Sequence, residues 1–313
     1  MRGDCRWDLA SARAESYARP GALPDVRPAA IEEDLRRRDV TVNAIALDLA
    51  GGALLAVEHA LDDVRAGRLR VLHDASLQDD PTRLWRIARY AARLGFELEP
   101  RTARLAAEAV AGGAAERVSG ARIGNELRLA LAEPDPIAAL EHVVALGLAP
   151  WLAPDRERAA AALDLLPAGE GRRDLVVLAA ALAEDADDAD RRLAAMDFKA
   201  SERAVLRAAS RAPDVAAAAL AARRPSELAR ALRGLPVEAV ALAGADGAPA
   251  AVRRWLHELR HVALAIDGDD LLAAGVPRGP EIGRLLAATL DLRLDGELDG
   301  GRDAQIAAAL ALA

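Results

Sequence analysis

The stretch Asp80-Pro81-Thr82-Arg83-Leu84-Trp85-Arg86-Ile87-Ala88-Arg89-Tyr90-Ala91-Ala92-Arg93-Leu94-Gly95 limits what this chain can fold into more than any other. An aspartate followed by proline reads as a helix N-cap with a proline at the first helical position. Gly95 supplies the left-handed residue that ends a helix. At ~100° per residue, Arg83, Arg86, Arg89 and Arg93 fall within one third of the circumference. Leu84, Ile87, Ala91 and Leu94 gather on a neighbouring face. The expectation is a helix anchored through an apolar face and presenting an arginine stripe with an acid at its mouth.

An arginine stripe alone is usually a solvated helix face. Asp80 beside Arg83 argues for more. A carboxylate accepts hydrogen bonds and a guanidinium only donates, so the pair presents acceptor then donor. That order complements the pairing edge of cytosine or adenine, each with an exocyclic amine beside a ring-nitrogen acceptor. Guanine and uracil present the reverse order. An unpaired buried polar group costs about 1–3 kcal/mol, enough to reject the wrong base. Arg86 and Arg89, further along, are suited to a triphosphate.

On these residues the stretch resembles the Glu-Asp-x-x-Arg-x-x-Arg segment of bacterial CCA-adding tRNA nucleotidyltransferases and their poly(A) polymerase relatives. The resemblance implies that Asp80 and Arg83 act as a protein template for CTP and ATP, with Arg86 and Arg89 matching the arginines that follow. Asp79 stands where glutamate is usual. A second segment, Arg37-Arg38-Asp39-Val40-Thr41-Val42-Asn43-Ala44, is similar to the family's Arg-Arg-Asp-Phe-Thr-x-Asn-Ala motif, with Val40 replacing the aromatic. Arg38 matches the arginine that contacts the nucleotide, and Asp39 and Asn43 match its neighbours. Where the family has an Asp-Pro-x-Gly-Gly hinge, this chain reads Ala56-Val57-Glu58-His59-Ala60.

The family also opens with a Gly-Gly-x-Val-Arg-Asp loop and a strand bearing Asp-x-Asp, whose carboxylates hold Mg²⁺. The first residues here, Met1-Arg2-Gly3-Asp4-Cys5, match neither, so no metal ligand is assigned. Asp8 is the one candidate for a supporting carboxylate. Two readings stay open: a start placed too late, or a protein that keeps binding and has lost chemistry.

The 313 residues are 52% hydrophobic but only 3% aromatic. Such a core is built mostly from helices packed closely on small side chains, in two or three domains. The net charge of −8 sits badly with RNA binding until it is divided. Residues 1–130 carry 20 arginines against 20 carboxylates, leaving 21 cations against 29 acids beyond. A polyanion is therefore expected to meet arginines near the N-terminal half. Lys199 is the only lysine, and every other cation is a fork-shaped guanidinium suited to phosphates and bases. A single cysteine, Cys5, fits a reducing compartment. With neither a run of ~18 apolar residues nor a charged-then-apolar leader, the expectation is a cytoplasmic protein with no membrane contact. Nothing indicates a protein partner.

Residues 6–19 are expected to begin as a strand, and Pro20, Gly21, Pro24 and Pro28 to form a loop. Arg122 and Glu126, one turn apart, are expected to brace their helix as an i,i+4 ion pair. His257-Glu258-Leu259-Arg260-His261 matches the H-E-x-x-H zinc-peptidase spacing, a pattern that arises readily by chance. The alternative is a surface helix with Trp255, Leu256 and Leu259 packed inward. The acids of Asp267-Gly268-Asp269-Asp270 are read as helix caps. Gly275-Val276-Pro277-Arg278-Gly279-Pro280-Glu281-Ile282-Gly283 resembles the family's C-terminal segment, either meeting RNA phosphate or forming a plain turn.

The expected fold class is α+β: an N-terminal remnant of a polymerase-β-like nucleotidyltransferase head (residues 1–72), then a helical neck that reads the base (73–142) and a helical body and tail that bind tRNA (143–313). The resemblance implies template-independent addition of CMP and AMP to the 3′ end of tRNA, releasing pyrophosphate under Mg²⁺. Poly(A) tailing of RNA and a non-catalytic nucleotide- or RNA-binding remnant are the alternatives.

Overall fold

A computed structural model describes residues 9–19, 21–22 and 24–313. Asp8 lies outside the described residues. The chain is mostly helical, with its strands confined to the N-terminal third. Chain contacts divide it into two units. The first runs to Pro154 and takes in Ala181–Glu184 and Asp188–Lys199; the second comprises Asp155–Ala180, Asp185–Asp187 and Ala200–Ala313.

In the first unit β1 (Arg13–Ser16) pairs antiparallel with β2 (Asp25–Pro28), Arg13 facing Pro28. The expected proline loop is thus shorter than its composition suggested. Pro28 ends an edge strand, where a missing N–H costs no ladder bond. After α1 (Ile31–Arg36) and a 3₁₀ turn at Thr41–Asn43, β3 (Ile45–Leu47) and β4 (Leu54–Ala56) form a hairpin. His59, just before α2 (Ala60–Ala66), has φ +66°. A left-handed backbone costs a non-glycine residue about 1–2 kcal/mol, and this is the place where the family resemblance has glycine. β5 (Arg68–Leu69) pairs parallel with β6 (Glu97–Leu98), on either side of α3 (Ser76–Asp79) and α4 (Thr82–Leu94).

Helix α4 is the axis of this unit. Leu84, Trp85, Ile87, Ala88 and Ala91 are buried, and Leu84, Ile87 and Ala91 share a core with Val40, Leu69, Val71 and Leu77 and with Ala106 and Ala109 of α5 (Pro100–Ala111). Leu94, expected on the buried face, is 43% exposed because the helix ends one residue later at Gly95, φ +64°. At the other end the helix begins at Thr82, with Pro81 and not Asp80 at the N-cap. Asp80 stands one residue further out, its Oδ1 accepting from the Thr82 N–H (3.2 Å) and hydroxyl (2.7 Å).

Helices α6 (Gly120–Leu131) and α7 (Pro136–Ala145) pack on α4. A Cβ at Gly120 or Gly124 would stand 2.0 Å from the carbonyl oxygens of Ala195 and Met196 respectively. Only glycine permits so close a backbone approach. Small side chains therefore set the packing distances here, as the composition implied.

The helices that follow are α8 (Arg156–Leu165), α9 (Arg173–Ala181), α10 (Ala186–Ala195), α11 (Ala200–Ala209), α12 (Ala212–Ala221), α13 (Pro225–Leu232), α14 (Val237–Ala245), α15 (Pro249–His257), α16 (Gly268–Ala273), α17 (Pro280–Leu294) and α18 (Arg302–Ala311). In the second unit α14 is buried from Glu238 to Gly244 and is packed by α8, α11, α12 and α15. Helix α15 stops at His257, Glu258 leaves helical geometry (φ −125°, ψ −71°), and Leu259–His261 form a 3₁₀ turn. The two histidines therefore share no continuous α-helical face, and the zinc-peptidase spacing is not realised. Trp255, Leu256 and Leu259 point inward as expected. Asp267 caps α16 through the amides of Asp269 and Asp270, while Asp270 returns a bond to the Asp267 N–H (3.0 Å). Arg284, near the start of α17, is held by Glu281 and the Leu312 carbonyl (2.8 Å).

Candidate nucleotide-binding pocket

Strand β1, the residues after α1, and the start of α4 converge on a cavity of about 560 Å³, within the range of small-molecule sites. Of the residues named from sequence, Arg38, Asp39, Asn43, Asp80, Arg83 and Arg86 line it. Arg89 and Asp79 do not. Among the described residues the lining holds six arginines against four carboxylates, a balance that favours an anion.

Asp39 is the hub of one wall. Its Oδ1 accepts from Val40 N and Asn43 Nδ2, both at 2.9 Å. Its Oδ2 accepts from Arg86 Nε at 2.7 Å and from the Tyr90 hydroxyl at 3.1 Å. Burial alone would raise this carboxyl, but the Arg86 guanidinium and the bond from Asn43 outweigh it and hold Asp39 below the usual carboxylate range. Arg86 also donates to the Tyr90 hydroxyl at 2.7 Å, so its position along the wall is fixed.

Asp34, in α1, gathers the two arginines that follow that helix. Oδ1 accepts from Arg13 N (3.1 Å) and Arg37 Nη2 (2.7 Å), and Oδ2 from Arg38 Nη2 (2.9 Å). Burial opposes ionisation, yet these donors hold the carboxyl down at about 2. Arg38 also donates to the Asn43 carbonyl at 3.1 Å, while its buried Nε has no partner among the described residues.

The predicted base-reading pair sits at the mouth of α4. Arg83 is buried, donating to Ser76 Oγ (2.6 Å) and to the Arg37 carbonyl (2.8 Å). Two of its five N–H groups are engaged in these bonds. Asp80 Oδ1 takes Thr82 and also Arg122 Nη2 at 2.8 Å, whereas no described residue donates to Oδ2. The expected Arg122–Glu126 brace is absent. Arg122 reaches Asp80, and Glu126 instead accepts from Arg89 Nη1 at 2.7 Å.

That pairing also changes the place of Arg89. Rather than facing a triphosphate, it is buried between Glu126 and Glu133, with Nε 3.0 Å from Glu133 Oε1. Arg93, from the same stripe, lines the cavity while donating twice to Glu133. Sequence reasoning also passed over Arg13 and Glu15 of β1 and Tyr17 just after it, which line the pocket. Their alternation was the available signal, since every second residue of a strand shares a face. Glu15 joins Arg37 (2.7 Å) to the Tyr17 hydroxyl (3.1 Å). The chain's two tyrosines, Tyr17 and Tyr90, both face this cavity.

Fold and cavity together define a class: an α+β protein whose small β region and neighbouring helices enclose a guanidinium-lined pocket of nucleotide size. The model of the poly A polymerase head domain matches residues 1–70. An A-adding tRNA nucleotidyltransferase from Geobacter sulfurreducens is 34% identical over 98% of this chain and 38% of its own length. A CC-adding tRNA nucleotidyltransferase from Deinococcus radiodurans is 36% identical over 92% of this chain and 68% of its own. Among solved structures, a CCA-adding enzyme in an apo form superposes with TM-score 0.80 at 25% identity, over 97% of this chain and 76% of that one. CCA-adding enzyme complexes with ATP and with CTP each superpose at TM-score 0.75, with 26% and 25% identity. The first covers 88% of this chain and 70% of its own, the second 90% and 72%. The chain belongs to the CCA-adding tRNA nucleotidyltransferase and poly(A) polymerase family. It spans well under half the length of the A-adding relatives it matches.

Proposed function

We propose that this protein selects CTP and ATP and, as a tRNA nucleotidyltransferase, adds CMP and AMP to the 3′ end of tRNA. One observation carries the reading. Asp80 offers the cavity a carboxylate oxygen with no described donor, one helical turn from Arg83, which keeps N–H groups to spare. Acceptor beside donor is the pattern a cytosine or adenine edge completes. Relatives described as A-adding and CC-adding tRNA nucleotidyltransferases, and neighbours solved with ATP and with CTP, support it.

In this reading Asp80 accepts the exocyclic amine and Arg83 donates to the ring nitrogen. Arg86, held by Asp39 and Tyr90, and Arg38, whose Nε lacks a partner, bind the sugar and phosphates; Asp39 and Asn43 keep the two arginines in place. Arg89 supports the wall from behind, and Asp79 anchors the loop after β1 through its carbonyl, which accepts from Gly21 N at 3.0 Å. The terminal ribose hydroxyl of the RNA attacks the α-phosphorus in line, forming an O3′–P bond as the bond to pyrophosphate breaks and the hydroxyl proton leaves to water. Residues 1–72 would act as the head, 73–142 as the base-reading neck and 143–313 as the tRNA-binding body and tail, in the cytoplasm.

The family resemblance implies Mg²⁺. Among the described residues no group of three or more His, Cys, Asp or Glu is arranged to hold an ion. No step is routed through the metal. No described helix is long and apolar enough to cross a membrane.

The test supplies the chain with end-labelled tRNA ending before its CCA, or ending in CC, with Mg²⁺, CTP and ATP, and resolves products to single nucleotides. Growth by C, C and A supports the proposal; growth by C only or by A only narrows it to one nucleotide. Long A-tracts would replace tRNA maturation with poly(A) tailing. Selective binding without addition would leave a base-reading protein without transfer.

A further inference from the structure

Helix α6 reaches the base-reading pair through one residue that motif reasoning had assigned elsewhere. Arg122 donates from Nη2 to Asp80 Oδ1 (2.8 Å) and from Nη1 to the Gly21 carbonyl (3.1 Å). Its side chain is three-quarters buried, and that of Asp80 more so. The same Oδ1 also takes the Thr82 amide and hydroxyl. Three donors therefore converge on one carboxylate oxygen, and no described residue donates to the other. A carboxylate bound on one oxygen by a planar guanidinium and by the first residue of a helix cannot rotate without losing charge-assisted bonds. Gly21 is fixed in turn: its N–H donates to the Asp79 carbonyl (3.0 Å), its φ is +75°, and a Cβ there would lie 2.9 Å from the Arg117 carbonyl oxygen. Arg122 thus ties Asp80 to the Gly21 carbonyl, whose own N–H is bonded back to Asp79.

We propose that Arg122 is a positioning residue for base selection: by saturating Asp80 Oδ1 it leaves Oδ2 as the sole acceptor, aimed at the exocyclic amine of cytosine or adenine. The inference rests on the base-reading role given to Asp80 above. Arg122 itself touches no nucleotide. Its removal lets the carboxylate turn, so that the amine meets its acceptor only part of the time. Arg83 keeps its own anchors at Ser76 and the Arg37 carbonyl, and Arg38 and Arg86, which bind the phosphates, keep theirs at Asp34 and Asp39.

The experiment measures equilibrium binding of CTP, ATP, UTP, GTP and inorganic tripolyphosphate to the full chain and to its R122M and R122K variants, after thermal melts confirm folding. Loss of one charge-assisted hydrogen bond predicts that CTP and ATP weaken about tenfold or more in R122M. UTP, GTP and tripolyphosphate should stay within about twofold, so the selectivity ratio collapses. R122K, able to reach Asp80 but not the Gly21 carbonyl as well, should recover part of the ratio. A merely structural role would instead weaken all five ligands together, and that result overturns the inference. An unchanged ratio in R122M overturns it too, leaving the base-reading role of Asp80 intact. If R122M does not fold, R122K decides alone: a wild-type ratio is the overturning outcome. No selectivity in the unmodified chain removes the base-reading role and this inference together.

Discussion

Arg89 Nη1 lies 2.7 Å from Glu126 Oε2, with both side chains less than a tenth exposed. This contact joins α4 to α6 inside the first unit, and the Arg89 Nε bond to Glu133 extends it to the link between α6 and α7. A charge pair this deep gains little over a well-packed apolar pair, but breaking it strands a buried charge.

Arg89→Met should therefore destabilise the protein by about 3–5 kcal/mol. Burial already pushes Glu126 above the usual glutamate range, against the pull of Arg89. Without that arginine its folded value rises further above the unfolded one. Stability should then be best retained below the unfolded value and fall as pH rises through the folded one. Urea unfolding at pH 5 and pH 8 checks this: the variant should lose more at pH 8, and R89M/E126Q, which has no carboxyl there to titrate, should show less of that pH dependence.

Asp34 gives the opposite sign. Its folded value of about 2 lies below the ordinary aspartate value. Its contribution is thus complete above about pH 4 and drains away as pH falls toward 2, amounting to about 2 kcal/mol. Acid unfolding of Asp34→Asn should start from a lower plateau and show a shallower decline over that window.

Asp80→Ala should abolish base preference. CTP and ATP should weaken about tenfold or more, the value of a lost hydrogen bond to a charged group, while UTP and GTP barely change. Equal affinities for all four nucleotides in the unmodified chain would end the template reading.

Two glycines give a matched pair. Gly124→Ala places a methyl 2.0 Å from the Met196 carbonyl oxygen, so the backbones must part; a loss of about 1–3 kcal/mol or more follows. Gly283, inside α17, has nothing within 4 Å of its added Cβ. Gly283→Ala should stabilise the protein by about 0.5–1 kcal/mol through helix propensity. Thermal melts of both variants separate close packing from chain entropy.

Helix α4 was legible because its ends are chemically marked, by Asp80 and Pro81 at one and Gly95 at the other. Its arginine stripe was legible as a stripe but not as a division of labour. Periodicity places Arg86, Arg89 and Arg93 on one side, yet the carboxylates that claim Arg89 lie 37 and 44 residues onward. No local pattern carries that information. The Arg122 prediction failed for the same reason: a partner one turn away was available, and a tertiary partner 42 residues back held it instead. The strand at Asp25–Pro28 was masked by prolines that an edge position tolerates. Arg13, Glu15 and Tyr17 alternate as a strand face should, but four residues of strand are too short a run to stand out.

The paired tyrosines have a practical meaning. Because Tyr17 and Tyr90 are the chain's whole complement of phenols and both face one cavity, the protein carries its own optical probe. A shift of the tyrosine bands in the second-derivative ultraviolet spectrum, separated from those of the four tryptophans, reports that a ligand without its own ultraviolet absorption, such as tripolyphosphate, has entered that space, with no label attached.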